Sequence, residues 1–308
     1  MLKSLTAFRI REDWQAPSFD AVSDALALRA FRACGPTERR TSGWVPPRGV
    51  EHGPLLESVG GQWLLSLATE TRQLPASAVK AELDLRLDAM ERQTGRRPRG
   101  KAKREMKEQV EHELLPRAFT RKSTVTVWID PRSRMLILGT PSAKVADLVV
   151  AELLTLFEDR LPLSPLDTEQ SPAGAMAAWL TSREPPAGFT IDQECELRQP
   201  DDTRATVKYT RHNLDTDEVV LHLQEGKLPA YVAMTWADRI SFVLTDDLKI
   251  KRVKFLDVEA GSAAGAAGDG ADDSFDADAA LATGELSQLM GDLLDALGGE
   301  RMLGTPQP

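Results

Sequence analysis

Apolar residues recur at helical spacing in four stretches of the chain. Val79, Leu83, Leu87 and Met90 follow Pro75, and Met106, Val110 and Leu114 resume the pattern after a break at "GRRPRG". Val145, Val149, Leu153 and Leu156 follow Ser142, and Leu286, Leu289, Leu293 and Leu297 run up to Gly298-Gly299. Steps of three and four place such residues on one face of a helix. The spacing therefore predicts two helices flanking a basic loop, a third helix capped by Ser142, and a long C-terminal helix stopped by the glycine pair. Asp276 and Asp278 suit the positive end of that last helix.

Elsewhere the period shortens towards two. "LKSLTAFRI" reads as a first strand, and Ser18 after Pro17 caps a helix through Val22, Leu26 and Ala30 that stops near Gly35-Pro36. "GWVPPRG" reads as an extended turn, because Pro46 and Pro47 hold it out of helical geometry, and "GQWLLSLAT" as a buried strand. Val125, Val127 and Ile129 alternate up to Asp130-Pro131, and "RMLILG" returns as the partner of a hairpin. Further on come a helix around Met176–Leu180, extended segments around Phe189–Glu196 and Arg204–Tyr209, a short helix from Thr216, and the strands "AYVAMTW", "RISFVLT" and "KIKRVKFLD". The expected class is α+β, with two or three sub-domains of antiparallel sheet and packed helices.

Three prolines between Leu161 and Pro172 mark the expected domain boundary. It separates an N-terminal unit, 1–165, which contains the helical basic segment 76–122, from a C-terminal unit, 173–300. The low-complexity stretch "AGSAAGAAGDGADD", 260–273, is expected to be a flexible acidic loop, and 301–308 a disordered tail.

Composition narrows the function. No apolar run approaches the roughly 20 residues of a membrane span, and the start turns charged before a signal-peptide core forms, so the expected address is cytoplasmic, with no membrane partner. Cys34 and Cys195 lie far apart and supply neither a disulfide framework nor a cysteine zinc site. The net charge of −9 argues against a nucleic-acid partner only on average. From Asp257 through Glu300 there are eleven acidic residues and no Lys or Arg, whereas Arg72 to Lys122 carries fourteen basic residues against eight acidic. Such segregation points to a polyanion partner.

Catalytic signatures are missing. The chain has no G-x-x-x-x-G-K-[ST], no H-E-x-x-H and no G-x-S-x-G, and the acidic cluster around Asp269–Asp278 lacks calcium-loop spacing. What remains is basic. "GRRPRGKAKRE" places Arg96, Arg97, Arg99, Lys101, Lys103 and Arg104 within nine positions, as a phosphate-tracking loop would, although a solvated loop has the same composition. "PRAFTRK" surrounds Phe119 with Arg117, Arg121 and Lys122; the ring is either a core residue or an exposed anchor at a subunit contact or nucleic-acid surface. "VKYTRH", Lys208 to His212, repeats the mixture of cation and aromatic, and a solvated strand edge would carry it equally well.

Seven motifs occur in a fixed order: "GWVPP" (Gly43 to Pro47), "LLPRAF" (Leu114 to Phe119), "WID" (Trp128 to Asp130), "SAK" (Ser142 to Lys144), "FDAD" (Phe275 to Asp278), "TGEL" (Thr283 to Leu286) and "LGGE" (Leu297 to Glu300). In these the chain resembles the recombination-associated protein RdgC family over nearly its whole length. The resemblance implies a non-enzymatic, cofactor-free nucleoid protein that binds double-stranded DNA with little sequence preference and restrains RecA-promoted recombination. It also implies a ring-forming homodimer with a positively charged hole. In that setting Phe119 lies at a dimer contact, Arg117, Arg121 and Lys122 face phosphates, and a second cationic site falls on Arg211 and His212. The family often has lysine and glutamine at this second site, and His212 would be largely neutral at pH 7. Two further readings stay open. One is a scaffold that binds RecA or other recombination proteins through the C-terminal apolar helix and the acidic segment. The other is a metal-dependent nuclease built on the acidic cluster.

Overall fold

The computed structural model describes residues 2–201, 203–256 and 271–301, the last stretch with side chains from 274 onward. In chain order its elements begin with β1 (Ser4–Ile10), α1 (Phe19–Ala27), β2 (Arg40–Val45), β3 (Leu56–Val59), β4 (Gln62–Arg72), α2 (Ala76–Thr94) and α3 (Gly100–Leu114). A single 3-10 turn, Leu115–Arg117, leads to β5 (Thr120–Asp130), β6 (Met135–Leu138), α4 (Ala143–Leu156) and β7 (Leu163–Pro165). Then follow α5 (Pro172–Ser182), β8 (Phe189–Arg198), β9 (Thr206–Thr210), α6 (Asp217–Gln224), β10 (Leu228–Trp236), β11 (Ile240–Thr245), β12 (Ile250–Phe255) and α7 (Ala271–Ala296). The fold is α+β, as the alternating periods predict.

Two compact units emerge, and they do not follow the linear division at 165–173. The first gathers Met1–Val22, Leu56–Leu65 and Thr126–Pro308; the second is Ser23–Leu55 with Ser66–Val125. The proline-rich stretch is no free linker. Leu161 and Thr168 are buried, β7 pairs with β1, and Thr168 bridges Glu300. Pro162 precedes and Pro165 ends a three-residue strand, and Pro172 opens α5, all places where a missing N–H costs little.

In the first unit β1 changes partners along its length, pairing Ser4 and Leu5 with β12 and Thr6 to Arg9 with β6. The antiparallel ladder continues from β12 through β11, β10 and β8 to β9 at the edge. Against it lie Met176, Trp179 and Leu180 of α5 and Leu286, Leu289, Met290 and Leu293 of α7, in one core with Cys195, Met234, Trp236 and Phe242. Burying each of these large side chains contributes about 1.5–3 kcal/mol. The apolar stripe of α7 is thus consumed inside the unit, which removes it as the docking face of a scaffold.

Local chemistry explains the ends of α7's neighbourhood. Gly298 and Gly299 adopt φ of 83° and 94°, and their N–H groups bond to Asp295 and Leu294 carbonyls. Only glycine takes such angles freely, so the pair ends the helix. Glu300 then accepts from Arg9 Nε at 2.8 Å, and Arg301 N donates to Asp167 O at 3.0 Å. Arg301 is therefore held, and the remainder of the expected tail, 302–308, lies outside the described residues. So does the expected acidic loop up to residue 270, while Ala271–Asp273 open α7.

Two caps differ from expectation. Ser18 Oγ accepts from Ala21 N at 3.3 Å, as a cap should, but α1 stops at Ala27 because Ala30 turns to bridge Trp44. Ser142 makes no side-chain cap on α4; its own N–H is taken by Thr140 Oγ1 at 3.2 Å. Tertiary pairing outweighs the local signal in the first case, and a neighbouring hydroxyl does in the second.

The second unit contains β2 antiparallel to the later half of β4, the first half of β5, and the helical pair α2–α3. Only Val79, Leu83 and Leu87 of α2 and Val110 of α3 are buried along that pair. Arg86 joins the two helices through Glu113, its Nη2 donating at 2.7 Å, and its Nε donates to Glu82 Oε1 at 2.9 Å. The seam is narrow and its flanks are charged.

Candidate nucleic-acid interface

The turn that ends α3 contains a proline, and its backbone rises through Ala118 at φ −73°, ψ 137° into β5. Ala118 N donates to Leu115 O at 3.1 Å, and Gln73 N donates to Phe119 O at 2.7 Å, so the backbone beneath Phe119 is tied on both sides. The ring itself is 88% exposed. Phe119 is therefore no core residue, although burial would have gained about 1.5–3 kcal/mol.

β5 continues the exposure. Thr120 to Thr124 are exposed at every position, where a half-buried strand would alternate, so Arg121 and Lys122 present charge on opposite faces. Lys122 Nζ lies 4.1 Å from the centroid of the Phe31 ring. Gly43 makes that placement feasible, because a Cβ there would come within 2.5 Å of Phe31 Cα, and Phe31 N donates to Trp44 O at 2.9 Å. The glycine of "GWVPP" thus serves a close backbone approach. Arg117 and Arg121 make no ion pair among the described residues, and Glu70 nearby is held below the ordinary carboxylate range by the Cys34 N–H and then by the Thr120 hydroxyl.

The basic run on the helical pair divides. Only Arg96 to Arg99 occupy the connection, while Lys101, Lys103 and Arg104 belong to α3. Arg97 pairs with Asp88, Glu91 at 3.2 Å and Asp84 at 3.8 Å, Lys101 with Glu105 at 3.7 Å, and Arg104 with Glu108 at 3.0 Å. Arg96, Arg99 and Lys103 are exposed and make no ion pair among the described residues. These three charges face solvent.

The remaining candidates belong to the first unit. Lys208 of β9 stands 5.9 Å from the Tyr231 ring, and its pKa is raised first by the hydrogen bond to Tyr231 and further by Glu194 and Glu196. Arg211 follows β9 in a left-handed turn at φ 54° and is exposed. His212 places Nδ1 2.7 Å from Asn213 O, and its ring lies 5.2 Å from Tyr209. The imidazole is engaged locally.

Sequence reasoning missed several contributors. Arg72, Phe31 and Gly43 organise the base of the Phe119 turn without any cationic cluster to announce them. Lys251 and Lys254 of β12 make no ion pair among the described residues, whereas Lys249 pairs with Asp247 and Arg252 with Glu194. The alternation in "KIKRVKF" was the available signal.

A groove of about 340 Å³ opens in the second unit, floored by Leu74, Val79 and Leu83 and rimmed by Arg39, Lys80, Lys107 and Glu111, the last paired with Arg39 and, at 3.6 Å, with Lys107. An apolar floor of this size fits an aromatic ring, and of the rim cations Lys80 makes no ion pair among the described residues. Among the described residues no three His, Cys, Asp or Glu side chains are gathered as a metal ion would require. Nor is any described helix long and apolar enough to cross a membrane.

Comparison with known proteins adds a family. A family model described as "Putative exonuclease, RdgC" matches residues 1–300. A recombination-associated protein RdgC from Cupriavidus pinatubonensis is 46% identical over 299 residues, covering 97% of this chain and 98% of the relative. Proteins of the same name from Dechloromonas aromatica, 42% identical over 303 residues, and Bordetella pertussis, 41% identical over 299, each cover 97% of this chain and respectively 97% and 98% of themselves.

Proposed function

Since this chain belongs to the RdgC family, whose members named above are recombination-associated proteins, we propose that it binds double-stranded DNA through the phosphate backbone, as a homodimer closed around the duplex, and restrains RecA-promoted recombination in the nucleoid. The observation that carries the reading is the Phe119 ring, 88% exposed, on a turn and strand bearing Arg117, Arg121 and Lys122. An aromatic group withheld from its own core amid cations is explained by a second copy and an anion arriving at the same place. In a pair of copies related by symmetry, the ring of one seats in the other's groove over the apolar side chains of Leu74, Val79 and Leu83.

Phosphate contacts from Arg96, Arg99, Lys103, Arg117, Arg121 and Lys122, joined by Lys208 and Arg211 of the first unit, fix position without reading bases. Arg97, Lys101 and His212 contribute less, since their polar groups already have partners. The surplus of negative charge elsewhere keeps attraction local and the protein soluble. Titrating salt against binding to two unrelated duplexes tests this. The expected log-log slope is about −0.9 per phosphate neutralised, equal for both sequences. A strong preference for one sequence at all salt concentrations would refute the backbone reading.

The family model's own description favours a second reading, an exonuclease. The described residues offer it no gathered set of metal-ligating side chains, and Asp276 and Asp278 of α7 are the only described side chains of the acidic cluster. Incubating end-labelled duplex with magnesium decides the matter. Intact DNA is expected, and cleavage that a chelator abolishes would replace the non-enzymatic reading.

A further inference from the structure

Arg72, the last residue of β4, has its guanidinium spread across two separate turns. Nε donates to Gly35 O at 3.0 Å and Nη2 to Cys34 O at 3.2 Å, while Nη1 donates to Ala118 O at 3.0 Å and reaches Leu115 O and Pro116 O at 3.5 Å. Every one of these acceptors is a backbone carbonyl. Leu115 O already accepts from Ala118 N at 3.1 Å, and the guanidinium adds a donor to it and to the Pro116 and Ala118 carbonyls past the end of α3.

The first of the two turns is itself fixed. Cys34 N donates to Glu70 Oε2 at 2.6 Å, Gly35 N to Glu38 Oε2 at 2.8 Å, and Glu38 is held by Arg32 at 2.6 Å. Arg72 passes that rigidity to 115–118, and the adjoining Gln73 N–H holds Phe119 O. We infer that Arg72 is the positioning residue that fixes the Phe119 turn, holding the ring outward in the orientation in which it meets its partner. This rests on the reading of Phe119 as a contact residue, and it deepens that reading: the geometry of the contact is set by a residue that touches no partner. Lysine cannot replace it, because three donors on one nitrogen do not span two turns.

The experiment has two arms. In the first, Phe119→Cys carries a nitroxide; Cys34 and Cys195 are 8% and 0% exposed and stay unlabelled in the folded protein, which the unsubstituted chain verifies. The spectrum is expected to show a restricted label, and adding Arg72→Lys is expected to convert it to a narrow, mobile line at unchanged global melting temperature. An unaltered line shape would overturn the inference. In the second arm, self-association is measured for Arg72→Lys, Phe119→Ala and the double variant. Arg72→Lys is expected to weaken it about tenfold, the scale of one lost charge-assisted hydrogen bond, Phe119→Ala about tenfold or more through the lost burial of the ring, and the double variant no further than Phe119→Ala alone. Additive losses would overturn the coupling.

If Arg72→Lys mobilises the label while Phe119→Ala leaves the solution mass untouched, Arg72's role stands and the contact reading falls. Should Arg72→Lys unfold the second unit, amide exchange in the unsubstituted protein answers instead. A protected Gln73 N–H supports the tie, and exchange at the open-chain rate removes it.

Discussion

α7 and the α2–α3 pair use helices for opposite purposes. In α7 Ala279, Leu286, Leu289 and Leu293 are at most 1% exposed, and polar residues at its margin are committed as well, Asp292 accepting from Trp236 Nε1 at 2.8 Å and Glu285 from Arg239 at 2.7 Å. In the α2–α3 pair four residues are buried, and the rest of both surfaces mixes many charged side chains with alanines and an exposed Leu85. Hydrophobic area dominates folding free energy, so the first arrangement stabilises a unit while the second leaves side chains available to solvent and partners. The comparison teaches where to look for function. On the proposed reading it lies where the sequence forgoes burial, at Phe119 and the unpaired cations.

The contrast yields predictions of decreasing size. Leu293→Ala should destabilise by about 2–5 kcal/mol in thermal or denaturant unfolding, because its cavity lies in a closed core. A loss below about 1 kcal/mol would break the comparison at its stable end. Replacing Arg117, Arg121 and Lys122 together with glutamine removes six cations from a two-chain complex and should reduce the salt slope of duplex binding by about 5.4, at 0.9 per phosphate, while leaving unfolding unchanged. Arg86→Gln should loosen the helical pair by about 1 kcal/mol or less, read as faster amide exchange in α2 and α3, since its partners are partly exposed. Phe119→Ala should leave stability within about 0.5 kcal/mol of the parent, an outcome opposite to that of Leu293→Ala despite the larger ring.

Acid should separate the two regions further. Arg32, and then the Gly35 N–H, lower Glu38 from 4.5 to about 2, and Glu70 and Glu113 are lowered by the Cys34 N–H and Arg86 respectively. A carboxylate depressed in the folded state stabilises fully above its unfolded value, and that contribution fades as pH falls through the folded one. Protection of the 34–38 and 115–119 turns should therefore decline between about pH 4.5 and 2. Asp192 of the first unit is shifted upward by burial, so its protonation as pH falls favours the folded state there. Protection factors that fell equally in both places would deny the distinction.

Much of the architecture was legible because strong periods survive in a single chain. The stripes of α2, α4 and α7, the β5–β6 hairpin and the run of late strands follow from spacing alone. The division into units was not legible, since it depends on β4 and β5 each contributing residues to both. Several motifs that carry the family resemblance are structural in this fold. Asp130 accepts from Arg132 N and Ser133 N to turn the hairpin, Trp128 donates to Gln62, Thr283 bonds back to Ala279 O, and "LGGE" ends α7. "LLPRAF" is the exception, delivering an exposed ring. The basic run at 96–104 was legible as charge but not as free charge, because carboxylates one turn away neutralise half of it. Arg72 was invisible, for nothing in its neighbours discloses that it binds carbonyls.

The most direct test of the central claim is sedimentation equilibrium of the full chain with a short mixed-sequence duplex. At low salt the account predicts a complex of two chains on one duplex that dissociates steeply as salt rises and loses its second chain with Phe119→Ala. One chain per duplex, indifferent to salt and to Phe119, would contradict it.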